Sequence, residues 1–151
     1  WKSVYYLQNE VAFGEIVRGM HHWGASLVIV MMFLHTLRVF FTGSYKKPRE
    51  LNWIVGVGIF GVMMGLGFTG YLLPWDMKAL FATKVGIEIA ASVPFIGEYI
   101  KILLAGDSTI LGAQTLTRFF AIHVFFLPAA LFALLAAHFI MIRRQGISGP
   151  L

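Results

Sequence analysis

Apolar residues in this chain fall in three long runs parted by short polar interruptions. The runs cover residues 15–41, around "GASLVIVMMFLHTLRVFF", then 53–73 and 115–142. A helix needs about 20 mainly apolar residues to cross a bilayer's hydrocarbon core, and each run supplies them. Three transmembrane helices are therefore predicted. The stretch 77–112 is apolar too, but Glu88, Pro94, Glu98 and Lys101 interrupt it, which predicts short amphipathic helices on the membrane surface. "GSYKKPRE" at 43–50 reads as a tight basic connection, punctuated by Gly43 and Pro48. The second run stops at "LLPWD": Pro74 cannot continue the helical hydrogen bonds, Trp75 suits the headgroup layer, and Asp76 stays out of hydrocarbon. Pro128, inside the third run, predicts a bend there.

Composition strengthens this picture. The chain is 58% hydrophobic and only 13% charged over 151 residues, more apolar side chain than a soluble domain of that size can hide. It has no cysteine, which excludes disulfides, thiolate metal sites and thiol-linked cofactors. The charges set an orientation. Arg38, Lys46, Lys47, Arg49, Arg143 and Arg144 cluster at the end of span one, in its loop and after span three, opposed there only by Glu50. The other six bases and six acids cancel, so the whole net charge of +5 lies on one side. The positive-inside rule assigns that side to the cytoplasm, stroma or matrix. The isoelectric point near 9.8 thus reports membrane orientation and not a nucleic-acid partner. The same orientation puts Trp1 outside, and an earlier span is expected before it.

Candidate chemistry lies in four histidines. Span one carries His21 and His35, fourteen residues apart; span three carries His123 and His138, fifteen apart. Fourteen helical residues advance about 21 Å and return to within about 40° of the starting direction, fifteen to about 60°. Each pair therefore lies on roughly one face, and both spans run from outside to inside. Facing imidazoles at two matched depths make two bis-histidine axial sites, the ligation of low-spin haem. A lone membrane histidine more often serves as polar glue or a proton path, but four at matched intervals argue for cofactor ligation. Zinc fits poorly, since each depth offers only two ligands. His22 has no counterpart and reads as interfacial.

Gly56 and Gly70 in span two repeat the fourteen-residue step, so a flat macrocycle can lie against the backbone at each depth. Ordinary small-residue packing accounts for Gly58, Gly61, Gly65 and Gly67. Arg18 and Arg118 precede the outer histidines by three and five residues, and Arg38 and Arg143 follow the inner ones by the same intervals. Guanidinium groups there suit haem propionates, with headgroup snorkelling the plainer alternative.

"MHHWGAS", "LHTLRVFFTG", "KKPREL", "FTGYLLPWD", "TLTRFFAIHVFFLP" and "HFIMIRRQGISGPL" together resemble cytochrome b of the quinol-oxidising bc complexes, most of all its short split form, cytochrome b6. The resemblance covers nearly the whole chain in order. It implies one haem-binding transmembrane helix-bundle domain over 1–151, lacking the family's first helix, in a bacterial plasma membrane or thylakoid membrane. It implies two b-type haems, His21 and His123 holding the low-potential outer one and His35 and His138 the high-potential inner one. It further implies quinone and quinol as substrates. The partners implied are a Rieske iron–sulfur protein, a c-type cytochrome subunit and a companion membrane chain like subunit IV, in a homodimeric complex. The function implied is electron transfer across the membrane from an outer quinol-oxidation site to an inner quinone-reduction site, coupled to proton translocation. His22 departs from the chloroplast-type pattern, which has arginine there, and "MKALF" and Glu88 depart in the region that lines the outer quinol pocket. The family's Pro-Glu-Trp-Tyr motif is absent and lies on the companion chain in split forms. Two other classes compete: a di-haem membrane anchor of another oxidoreductase, which lacks the "GYLLPWD" and "QGISGPL" signatures, and a transporter with histidine proton relays, which would show no haem spectrum.

Overall fold

The computed structural model describes residues 2–106 and 111–148. Trp1, placed outside by the charges, residues 107–110 of the surface stretch and the last three residues of "QGISGPL" lie beyond the described residues. Every regular element among the described residues is helical: α1 (Lys2–Asn9), α2 (Gly14–Phe41), α3 (Glu50–Leu72), α4 (Met77–Ala91), α5 (Gly97–Ala105), α6 (Ala113–Ala121), a π turn (Ile122–Phe126) and α7 (Leu127–Gln145). The helices Gly14–Phe41, Glu50–Leu72 and Ala113–Gln145 are long and apolar enough to cross a membrane. Almost none of their apolar length is buried by protein. At about 25 cal/mol per Å² of apolar surface, only a bilayer makes such an exterior favourable.

Helix boundaries follow local chemistry. Glu50 opens α3, where an acid favours the positive end of the helix dipole. At the other end, Trp75 adopts a positive φ of 53°, and the Ala79 amide donates to Asp76 Oδ1 at 2.8 Å. Asp76 is therefore the N-cap of α4 as well as the acid that ends span two. In the third span, the proline ring of Pro128 cannot coexist with a regular hydrogen bond to the carbonyl four residues earlier. That carbonyl, of Val124, lies inside the π turn, so where the sequence predicted a bend the structure has a π turn.

One compact unit comprises Trp1–Arg18 and Phe68–Phe126. Leu72, Ile87, Ala105 and Phe119 form its core. Thr115 Oγ1 donates to the Ala105 carbonyl at 2.7 Å and accepts from the Gly112 amide at 3.1 Å, joining the end of α5 to the start of α6. Along α4, Ala79, Thr83 and Ile87 face inward, while Met77, Phe81, Val85 and Ile89, on the opposite stripe, are exposed. This surface helix is thus apolar on two faces and not simply amphipathic. Glu88 and Lys101 tie α4 to α5 at 3.0 Å. The hydrogen bond and charge of Glu88 hold the Lys101 ammonium above the usual lysine range. Its folded value being the higher one, the pair's contribution is complete at neutral pH and is lost as the pH rises through that value.

The second unit comprises Gly19–Gly67 and Leu127–Leu151. Here α3 packs on α7 through glycines: a Cβ at Gly58 would lie 3.7 Å from Leu134, and one at Gly65 3.5 Å from Leu127. The two helices thus meet through leucine side chains of α7 that lie over glycines of α3. Tyr45, in the basic connection, stacks on Phe40 at 5.8 Å and meets Trp53 at 5.5 Å. Ser44 bonds Ser148 at 2.8 Å, fastening that connection to the tail after α7.

Candidate functional site

His35 on α2 and His138 on α7 line one cavity of about 610 Å³ in the second unit. That volume falls in the range of cofactor sites, about 300–1,000 Å³. The wall is mostly apolar, with Met32, Val39, Ile59, Met63, Leu131 and Leu135 among its residues, and Arg38 and Arg49 also reach it. Gly56 clears the approach to His138, since a Cβ there would lie 3.4 Å from its Cε1. The glycine thus faces the imidazole itself, where the sequence predicted a macrocycle against the backbone. His138 Nδ1 is buried without a hydrogen-bond partner, as is Asn52 Oδ1 in the same cavity. Orphaned polar atoms of this kind are costly and mark places where a bound group belongs.

Of the outer residues, Gly70 and His123 lie together in the first unit. A Cβ on Gly70 would come within 2.6 Å of His123 Cε1 and 3.2 Å of both ring nitrogens. The imidazole therefore lies directly over the Gly70 backbone. Thr69 Oγ1 holds His123 Nδ1 at 3.0 Å. His123 stands in the π turn. His21 lies on α2 in the second unit and is exposed, and the neighbouring His22 meets Trp23 edge-on at 5.6 Å.

The four arginines divide. Arg38 reaches the cavity that holds His35 and His138. Arg118 instead donates to the Ile102 carbonyl at 2.8 Å and to that of Leu103, closing the end of α5. Arg18 donates to Gln8 Oε1. Arg143 is exposed and is not among the cavity residues. Arg49, Asn52 and Thr69 were not singled out from sequence. Asn52 had a readable signal, a polar side chain one helical turn before Gly56 on the same face.

This donor set fits a haem. Two imidazoles share an apolar cavity of cofactor size, one with an unsatisfied nitrogen, and guanidinium groups reach the same space. Clusters of three or more His, Asp or Glu able to hold a bare ion are absent among the described residues. Axial ligation of haem needs only two imidazoles.

Comparison with known proteins agrees with the geometry. A family model described as cytochrome b (N-terminal)/b6/petB matches residues 26–151. A menaquinol:cytochrome c reductase cytochrome b subunit from Geobacillus thermodenitrificans is 85% identical over 151 residues, all of this chain and 67% of the relative. The corresponding subunit from Bacillus subtilis (strain 168) is 84% identical with the same coverage. Cytochrome b6 from Heliobacterium modesticaldum is 48% identical over 149 residues, 99% of this chain and 70% of the relative. With three apolar spans and with His35 and His138 at one cavity, this integral membrane chain belongs to the cytochrome b N-terminal/b6 family.

Proposed function

We propose that this chain is the di-haem cytochrome b subunit of a menaquinol:cytochrome c reductase. The cavity shared by His35 and His138 carries the proposal most directly. His35 and His138 hold the inner haem, and His21 and His123 the outer one. Bound haem supplies a reversible one-electron couple in a low-dielectric setting. The chain's own residues do the rest. The imidazoles would hold the iron, the glycines make room for those rings, the apolar walls exclude water, and Arg38 and Arg49 would place positive charge near the propionates. Electrons pass from a quinol oxidised at the outer face to a quinone reduced at the inner one, coupled to proton translocation. A Rieske protein, a c-type cytochrome and a companion membrane chain complete a homodimeric assembly.

The names of the relatives at 84–85% identity support menaquinol as the donor. In membranes carrying the complex, stopped-flow reduction of the b haems is expected to be fast with a short-chain menaquinol and slow with the matching ubiquinol. Equal rates would contradict the choice of quinol.

Placement of the arginines yields a separate expectation. Removing a charge-assisted hydrogen-bond partner costs about 1.5–3 kcal/mol, so Arg38→Leu should weaken inner-haem retention by roughly tenfold or more. Arg143→Leu, at a position that does not line the cavity, should leave it unchanged. Haem loss during titration with apomyoglobin compares the two, and equal behaviour would remove Arg38 from the site.

A further inference from the structure

We propose that Thr69 is the positioning residue of His123, fixing its tautomer and lowering the potential of the outer haem. Thr69 has this role only if His123 is a haem ligand, as proposed above. The geometry is specific. Thr69 Oγ1 lies 3.0 Å from His123 Nδ1, and Thr69 is only 5% exposed. Its β-branched side chain has little rotational freedom in a helix. The next residue is Gly70, whose missing Cβ lets the ring lie against the backbone. The imidazole is thus fixed by the Gly70 backbone on one side and aimed by a hydroxyl on the other.

A histidine that ligates through Nε2 carries its proton on Nδ1 and donates it to the Thr69 oxygen. Such a bond orients the ring and raises ligand basicity. A more basic ligand stabilises ferric over ferrous iron and lowers the potential. The inner histidine has no hydroxyl on this nitrogen, since His138 Nδ1 is buried with no hydrogen-bond partner. The two span-three ligands therefore differ in one chemical respect, a hydroxyl at the outer depth and none at the inner.

Thr69→Val keeps the shape and removes the hydroxyl, whereas Thr69→Ser keeps the hydroxyl and removes the methyl. Potentiometric titration of the haems in membranes carrying the complex reads the effect. Val is expected to keep both haems and to raise the outer midpoint, while Ser stays at the wild-type value. A tenfold shift in the ferrous-to-ferric ratio at fixed poise corresponds to about 59 mV for a one-electron couple. An unchanged midpoint in Val, an equal shift in Ser, or a shift shared by both haems would overturn the assignment. Should Val bind no outer haem, Thr69→Ala against Ser decides on the same terms: a shift in Ala alone supports Thr69, and matching midpoints reject it. Failure of the haem-ligand reading would show separately, as wild-type membranes without a bis-imidazole ferric haem signal in electron paramagnetic resonance.

Discussion

Substituting alanine for His138 is expected to remove one haem of two and spare the other. The imidazole belongs to a cavity that also holds His35, so His35→Ala should remove the same haem. One remaining axial ligand cannot hold low-spin haem securely against loss during purification. His21→Ala and His123→Ala should each remove the other haem. The haem-to-protein ratio, measured as the pyridine haemochrome, should fall from two to one in every case. The spectra should sort the four variants into two matched pairs. A variant that kept both haems, or a pairing of His35 with His123, would break the assignment.

Gly70→Leu is expected to disable the outer site selectively. A Cβ alone at that position would lie 2.6 Å from His123 Cε1, a distance that forces the ring away. Overpacking typically costs 1–3 kcal/mol, but here the displaced group is itself the proposed ligand. The Thr69 hydrogen bond is strained by the same displacement. Even Gly70→Ala should therefore lose or perturb the outer haem. Gly56→Ala is the internal control, because its Cβ would stand 3.4 Å from His138 Cε1, so a shift of a few tenths of an ångström relieves it. Visible spectra at low temperature, which separate the two haems, should show a large outer loss in the Gly70 variants. Gly56→Ala should show only a small inner change. Equal losses at both haems would point to general destabilisation instead.

Much of the fold was legible because a membrane span is a matter of length and polarity. The three apolar runs became helices at nearly the expected residues, and the family was carried by motifs such as "FTGYLLPWD". What sequence could not supply was the choice of neighbour. Arg118 stands five residues before a proposed ligand, yet its guanidinium satisfies the last carbonyls of α5. Hydrogen-bonding groups from elsewhere in the fold compete for a cation on equal terms with any cofactor, and spacing along one helix does not reveal them. Thr69 was hidden for the same reason, since its hydroxyl matters only once Gly70 brings His123 alongside.

The fifteen-residue step of span three is the clearest case. Read as regular helix, it misaligns His138 by about 60° from His123, against about 40° for the fourteen-residue step of span one. The π turn at Ile122–Phe126, which contains His123, departs from that regular geometry, so the angle reckoned for a straight helix does not carry over to this span. Pro128 was the visible clue, although a proline signals a disturbance without saying which kind.

The central claim is that this chain holds two b-type haems between paired histidines. Its most direct test is haem quantification on the purified membrane complex, combined with electron paramagnetic resonance of the oxidised protein. Two b-type haems per chain, both low-spin with bis-imidazole signals, are expected. A single haem per chain, or a high-spin or histidine–methionine signature, would contradict the account.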